Sequence, residues 1–176
     1  MIRRYLLLPC LALALSASAL HAQRGSQPLE LGIDGGVLFG LDNPGVTIVS
    51  LPLQEFRIGY FYNNSLELEP RFSVNSIHGG GNSFTTYSFE IGALFLPSGD
   101  RAGKGLYLRP FLGVTGFHDS AAGSDNNGYA GVGFGVKIPF SDRRLATRLE
   151  ANYSHVFSNG GANQIGLLIG LSYFTR

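Results

Sequence analysis

Apolar and polar residues alternate one by one along most of this 176-residue chain. The clearest case begins at Leu66, where Leu66, Leu68, Phe72 and Val74 alternate with charged or polar neighbours. Such alternation predicts β-strands, because successive side chains of a strand point to opposite faces of the sheet. Helical periodicity is nearly absent, and Gly or Pro interrupts almost every stretch. The pattern therefore predicts an all-β protein.

Eight segments carry the alternation, and each is bounded by residues typical of turns. The predicted strands are residues 29–41, 46–62, 66–75, 87–95, 106–115, 129–140, 145–154 and 165–173. Within the second, Leu51-Pro52-Leu53 breaks the pattern, and we expect a bulge or bend there. The connections, at residues 42–45, 63–65, 76–82, 98–104, 118–127, 141–144 and 158–163, are rich in Gly, Asn, Asp, Ser and Pro. No linker divides the segments, so we expect one domain, residues 23–176.

The first 22 residues differ in character from the rest. Arg3 and Arg4 precede an apolar run at residues 5–15, and small residues follow as far as Ala22. This layout predicts a cleaved secretory signal peptide, with cleavage before Gln23. The run is about half the length of a membrane-spanning helix. Cys10 lies inside the run, after a proline, so we do not expect it to be lipidated. The mature protein is expected to leave the cytoplasm.

Composition then excludes several classes of protein. The chain is 44% hydrophobic, which is too apolar for a disordered protein, and its single cysteine lies in the leader, which excludes a disulfide scaffold. Removing the leader leaves 11 basic and 12 acidic residues, so we expect no nucleic-acid binding. Glycine is abundant at 25 residues, and charged residues make up only 14% of the chain.

Alternation alone does not show whether the apolar face meets a core or lipid, because soluble and outer-membrane barrels alternate with opposite polarity. The polar face decides the question. It holds seven acids and five bases, a near-balance that suits ion pairing in a confined lumen. These residues are Glu30, Asp34, Glu55, Arg57, Glu67, Glu69, Arg71, Glu90, Arg109, Lys137, Arg148 and Glu150.

Glycines and aromatic residues support the same polarity. Most strand glycines share the face of the charges, where they would make room for large side chains inside a narrow barrel. Aromatic residues lie on the apolar face near both strand ends, which is typical of the two belts of a membrane barrel. One belt holds Tyr60, Tyr62, Phe95, Phe140 and Tyr173, and the other Phe39, Phe72, Tyr87, Tyr153 and Phe157. The sequence thus predicts an eight-stranded antiparallel up-and-down transmembrane β-barrel.

With eight strands, the turn at residues 57–72 and the aromatic last strand, the chain resembles the small outer-membrane barrels of the OmpA/OmpX type. The resemblance implies a location in the outer membrane with both termini in the periplasm. It implies contact with outer-membrane lipids and lipopolysaccharide, and insertion by the barrel-assembly machinery. Two departures stand out: the chain ends Phe174-Thr175-Arg176 where the family often ends on Phe, and we expect no peptidoglycan-binding domain after the barrel.

Two motifs contain residues that also occur in enzyme active sites, but we interpret both as structural. Residues 131–135, Gly-Val-Gly-Phe-Gly, lack the spacing of a dinucleotide loop, and no helix follows them. We interpret them as inward-facing glycines. His118, Asp119 and Ser120 are consecutive in a predicted loop and cannot form a relay that needs residues brought together by a fold. With Asp125 they could bind a divalent cation weakly, but a solvated loop is the simpler interpretation.

Residues 153–161 pose the sharper alternative. They resemble the H-x-S-N-A-G segment of outer-membrane lipid A deacylases of the PagL type, which implies a lipid-side His paired with a Ser and a Glu. His155 has the lipid-facing parity here. Ser158, however, lies three residues on rather than two, and the lipid-facing positions Ile165, Leu167 and Ile169 of the last strand include no acid. A His without an acid to orient it is a poor general base.

We therefore expect a monomeric outer-membrane barrel without catalysis, cofactor or metal, with a role in envelope structure, envelope integrity or surface interaction. Two alternatives stay open: a lipid A hydrolase that uses His155, and a narrow ion-conducting pore. In the pore, the lumenal charges would set selectivity. An eight-stranded barrel normally has a filled interior, which favours charges that lock the fold.

Overall fold

A computed structural model describes residues 29–42, 47–79, 82–98, 105–120, 123–141, 144–158 and 161–175. Within these ranges, side chains are described at all positions except 47–54, 77–79 and 82. The eight strands are β1 (Leu29–Gly40), β2 (Thr47–Phe61), β3 (Leu66–Gly79), β4 (Asn82–Phe95), β5 (Gly105–Asp119), β6 (Gly123–Pro139), β7 (Leu145–Phe157) and β8 (Ala162–Phe174). The expected signal peptide lies outside the described residues. Among the described residues there is no helix of a length and hydrophobicity that would cross a bilayer.

The strands close into a barrel in which each pairs antiparallel with its neighbours in the chain. β1 closes the barrel against β8, with pairs running from Glu30 opposite Phe174 to Gly40 opposite Gln164. Strands that are consecutive in the chain are also neighbours in the barrel. This is the up-and-down topology expected from eight consecutive alternating segments. The predicted fold is confirmed.

The irregularity expected at Leu51-Pro52-Leu53 is present in the backbone. Asp34 of β1 pairs with Glu55 of β2, but Gly36 pairs with Ser50, so β2 carries extra residues at this point. Pro70 of β3 lies where two β2–β3 pairs are missing from the described strands, between Arg57–Arg71 and Tyr60–Leu68, although the register is the same on both sides. A proline has no N–H to donate to the neighbouring strand.

The apolar face points outward, as the polarity argument predicts. Leucine, isoleucine, valine and aromatic side chains at alternate positions are exposed, among them Leu31, Phe56, Ile91 and Leu167. Eight of the ten predicted belt aromatics have exposures of 39–62%, and Tyr60 and Tyr87 are half-buried. In water such a surface would be unstable, and its solvent is therefore lipid.

We call the barrel end that holds Leu29 and Phe174 the terminal end, and the opposite one the distal end. At the distal end the predicted connections 76–82 and 118–127 are wrong in extent. β3 runs on to Gly79, β4 begins at Asn82, β5 runs to Asp119, and β6 begins at Gly123. Polar cross-strand hydrogen bonds contribute to the pairing there, such as Ser76 with Thr85 at 2.8 Å. Turn-like composition therefore hid two long hairpins.

Candidate functional site

The lumen is lined by the residues that the sequence places on the polar face. Of the twelve predicted lumenal charges, eleven are buried, and Glu55 is half-buried. Each comes from an inward position of its strand, as with Glu67, Glu69 and Arg71 on β3. Because a buried unpaired charge is costly, the arrangement is stable only if these groups satisfy one another.

Glu150 of β7 is the centre of the network. Its carboxylate accepts hydrogen bonds from Arg71 at 3.0 Å, the Tyr107 hydroxyl at 2.8 Å, Arg109 at 2.7 Å and Arg148 at 2.6 Å. The donors come from β3, β5 and β7, so one carboxylate joins strands across the lumen. Multiple charge-assisted bonds of this kind hold side chains in one geometry.

Around this centre the other cations also have specific partners. Arg57 donates to Glu30 at 2.9 Å, to Asp34 at 2.8 Å and to the Ser172 hydroxyl at 2.6 Å. Arg148 also pairs with Glu69 and donates to the Tyr107 hydroxyl at 2.6 Å.

Towards the terminal end, Lys137 lies between two carboxylates and an aromatic group. It pairs with Glu30 and, at 2.7 Å, with Glu67. Its Nζ atom is 5.6 Å from the centroid of the Phe61 ring and 5.9 Å from that of Phe174. Carboxylates and aromatic faces thus share one cation.

A buried apolar cluster fills the lumen at the terminal end, next to these charges, and it was not among the residues predicted from the sequence. It consists of the buried side chains of Phe61, Leu94, Leu96, Tyr107, Ala146 and Phe174. Leu94 and Phe174 lie on inward positions near the ends of β4 and β8. The alternation could have revealed them, since both fall on the parity of the charges.

Glycines provide clearance for the network. A Cβ atom on Gly32 would lie 2.2 Å from the Arg57 guanidinium, and one on Gly135 would lie 2.2 Å from the Tyr107 ring. Two buried oxygens, Asp34 Oδ1 and Glu67 Oε1, lack a hydrogen-bond partner in the described part of the chain. Each lies over a glycine, Gly170 and Gly59 respectively, at a distance that excludes any side chain there. The Gly-rich run 131–135 lies in β6 and has this same role.

Metal binding has little support from the described residues. Oxygens of Glu30, Glu67 and Glu69 lie within 4.8 Å of one another, the one group of metal-binding composition in that part of the chain. Lys137 and Arg148 already pair with these carboxylates. The negative charge that would attract a metal ion is therefore used in ion pairs.

The consecutive residues His118, Asp119 and Ser120 do not converge. The His118 ring lies 3.1 Å from the Ser124 hydroxyl, and the Ser120 hydroxyl accepts a hydrogen bond from the Ser83 amide at 2.9 Å. His118 and Asp119 are neighbours within β5 and so point to opposite faces. The expectation that they do not form a relay agrees with this geometry, but they lie at a strand end rather than in a loop.

His155 lies on the outward parity of β7 near the distal end, and it has a partner that the sequence did not reveal. Its Nδ1 is 2.9 Å from Asn163 Oδ1, and Asn163 Oδ1 also accepts from the Tyr153 hydroxyl at 2.6 Å. The Asn163 side-chain amide and its backbone N–H both donate to Asp42. These bonds, the backbone one foremost, hold the pKa of Asp42 below its usual 3.8.

Comparison with known proteins gives the class of protein. Residues 10–173 match the family model described as the outer membrane protein beta-barrel domain, and the chain belongs to this family. None of the curated proteins matches the chain in a sequence comparison.

Among solved structures, the chain is similar to Neisserial surface protein A at 12% identity, with a TM-score of 0.53, covering 83% of this chain and 95% of that one. It is also similar to the Pseudomonas aeruginosa OprF N-terminal barrel, at 17% identity, TM-score 0.46, and 85% and 100% coverage. Ail, the attachment invasion locus protein of Yersinia pestis, is 14% identical, with a TM-score of 0.41 and coverage of 84% and 97%. Neisserial surface protein A shares the barrel fold.

Proposed function

We propose that this protein is a non-enzymatic outer-membrane barrel that presents a β-sheet to the cell exterior for interaction with partners. A membrane-spanning strand needs about 9–11 residues, whereas β6 has 17 and β5 has 15. The excess length lies at the distal end. The signal peptide would export the chain, and both termini would lie in the periplasm.

The observation that carries this proposal is an open sheet at the distal end. In the described part of the chain the last β2–β3 pair is Glu55–Ser73, yet β3 continues to pair with β4 as far as Gly79. On the other side, β6 pairs with β7 only from Gly128 onward, whereas residues 123–127 pair with β5. Strands β3–β6 therefore continue as a four-stranded sheet beyond the closed barrel. An exposed sheet of this kind offers both faces and an edge for recognition.

The ion pairs and the apolar cluster support a structural role for the lumen. The network of cross-barrel ion pairs holds the strands together, and the cluster at the terminal end blocks a path through the barrel. We propose that the twelve lumenal charges lock a rigid scaffold rather than conduct ions.

Accessibility of single cysteines tests the location and orientation. The one cysteine of the chain, Cys10, lies in the predicted leader, so the mature protein gives no background. Ser120→Cys at the distal end should react with a membrane-impermeant maleimide in intact cells. Ser65→Cys, in the turn between β2 and β3, should react only after permeabilisation. Labelling of Ser65→Cys but not of Ser120→Cys in intact cells would contradict the proposal, and so would recovery of the protein in the soluble periplasmic fraction.

A second candidate function is hydrolysis of a lipid A ester bond, and the Asp42–Asn163–His155 chain favours it. Because Asn163 donates its amide N–H to Asp42, its Oδ1 accepts from His155 Nδ1–H, so that in the neutral imidazole Nε2 is the nitrogen without a proton and can act as a general base. The acid that would orient His155 is therefore Asp42, which follows β1, and not a residue of β8. Ser158 is the candidate nucleophile, and its carbonyl accepts a hydrogen bond from the Gly161 N–H at 3.0 Å.

Mass spectrometry of lipid A from expressing cells tests this candidate. Hydrolysis would release one fatty acid and leave a hydroxyl on lipid A. The acyl chain should be retained in cells that express His155→Ala but lost with His118→Ala, a control at an exposed distal histidine. Unchanged lipid A with the wild-type protein would exclude the hydrolase.

A further inference from the structure

We call the part of strands β3–β6 that extends beyond the closed barrel the distal sheet. Its inner face consists of the residues at the same alternate positions that face the lumen within the barrel. Tyr129 of β6 faces inward, because its ring packs against that of Phe111 with centroids 6.2 Å apart. Two and four residues before it, Asn127 and Asp125 share that face. Their β5 partners in the register are Thr115 and Phe117. The hydrogen-bonded pair His118 and Ser124 lies on the opposite face, as alternation requires.

Aromatic rings and carboxylates are adjacent on this inner face. Phe84 of β4 stacks on Phe117 of β5, with ring centroids 5.9 Å apart and planes 27° apart. The register places Asp119 directly opposite Phe84 and Asp125 directly opposite Phe117. Although the rings stack, Phe84 remains 41% exposed and Phe117 37% exposed. We call these four side chains the distal aromatic–acid cluster.

The lumen shows what this combination of groups binds within the same protein. The Arg109 guanidinium lies 4.4 Å from the centroid of the Phe111 ring and pairs with Glu90 and Glu150. Lys137 is likewise held by carboxylates and aromatic faces. In both of these groupings, a cation from the chain itself lies between an aromatic ring and carboxylates.

The sequence around the distal strand ends carries acidic residues but no lysine or arginine. The parts of the sequence that flank or connect the distal strand ends, residues 39–50, 74–88, 115–128 and 155–164, include three aspartates and no lysine or arginine. The connections at the other end, residues 97–104 and 141–144, hold four lysines or arginines and two aspartates. With the histidines neutral, these segments have a formal charge of −3, which favours cationic ligands over polyanions.

From these observations we infer that the inner face of the distal sheet is a docking surface for a cationic peptide segment. Lysine or arginine side chains would lie over the Phe84 and Phe117 rings while pairing with Asp119 and Asp125, as Arg109 does in the lumen. The hydroxyl and amide groups of Thr115 and Asn127 would meet the polar backbone. This inference rests on the proposed function, since it requires the distal end to be outside the cell.

Binding to the full mature protein in phosphatidylcholine nanodiscs tests the inference. A fluorescent nonapeptide of alternating Lys and Thr should bind, as fluorescence anisotropy would show, and the same peptide with Glu for Lys should not. Asp119→Asn combined with Asp125→Asn should weaken binding about tenfold, the upper range for two exposed ion pairs. Phe84→Leu keeps an apolar side chain but removes the ring, and should weaken binding about two- to fivefold. Raised salt should weaken binding of the Lys peptide more for the wild type than for the variant that lacks both aspartates.

Asp42→Asn is the control for the single variants Asp119→Asn and Asp125→Asn, because each of the three removes one negative charge and Asp42 lies away from this face. It should leave the affinity unchanged. Equal binding of the Glu peptide, an equal loss with Asp42→Asn, or binding only of a neutral maltooligosaccharide would overturn the inference. So would failure of the Lys peptide to bind while Ser120→Cys is labelled in intact cells. If Ser120→Cys is not labelled in intact cells, the proposed function itself fails.

Discussion

At the scale of single residues, Glu150 carries more of the lumenal network than any other carboxylate described above. Four residues donate to it at 3.0 Å or less, and three of them are cationic. When one partner of a buried ion pair is removed, the remaining charge is left without compensation, and this typically costs about 3–5 kcal/mol.

We therefore predict that Glu150→Gln lowers the free energy of unfolding by about 3–5 kcal/mol. Glu55→Gln is the matched control, since Glu55 is a lumenal carboxylate whose side chain is 22% exposed and whose ion pair with Arg71 is 3.6 Å long. It should cost at most about 1 kcal/mol. Urea unfolding in lipid vesicles, followed by the gel shift of the folded barrel, measures both. Equal effects of the two variants would show that Glu150 is not central.

A glycine in the lumen gives a second prediction at this scale. A Cβ atom on Gly135 would lie 2.2 Å from the Tyr107 ring and 2.6 Å from the Leu149 carbonyl oxygen, and that backbone atom cannot move aside. Gly135→Ala should therefore destabilise the barrel by about 1–3 kcal/mol through overpacking. Gly128→Ala, where the nearest atom is 3.7 Å away, should not destabilise it. The same unfolding assay distinguishes them, and similar losses in both would contradict the clearance role.

At the scale of elements, the distal ends of β1 and β8 are joined by Asp42 and Asn163. Hydrogen bonds from Asn163 stabilise the carboxylate form and lower the pKa of Asp42 below 3.8. A lowered pKa means that the folded form favours the carboxylate. The contribution of Asp42 to folding stability is therefore complete above the pKa that Asp42 has in the unfolded chain. It is lost as pH falls through the pKa that Asp42 has in the folded protein.

We predict that the backbone amide of Asn163 shifts in NMR spectra with a midpoint below pH 3.8, as Asp42 takes up its proton. The same resonance in Asp42→Asn should not titrate over this range, because the neutral amide has no proton to gain. A midpoint at or above pH 4 in the wild type would show that these hydrogen bonds do not favour the carboxylate.

At the scale of the whole molecule, the barrel is a filled cylinder with an extended rim. Ion pairs occupy the middle of the lumen, and Phe61, Leu94, Leu96 and Phe174 close its terminal end. We predict that the purified protein gives no stable single-channel currents in planar bilayers. Steady currents whose ion selectivity changes with Arg109→Glu would show instead that the lumenal charges line a pore.

Much of this architecture follows from local sequence. The parity of Glu67, Glu69 and Arg71 against Leu66, Leu68 and Phe72 was sufficient to assign lumen and lipid faces, because a strand has a strict period of two. The extent of the distal hairpins could not be read in this way. Ser76 and His118 belong to strands through cross-strand hydrogen bonds with Thr85 and Ser124, and such polar pairs have no apolar signal.

The sequence by itself determined the class of the molecule: eight antiparallel strands, an apolar exterior and a charged interior. These features depend on alternation along each strand. Only the tertiary structure decided which charges meet, such as Glu150 with Arg71 at a separation of 79 residues, and that Asp42 reaches His155 through Asn163. Ring closure and strand register bring these groups together, and no local pattern along the chain encodes distances across a barrel.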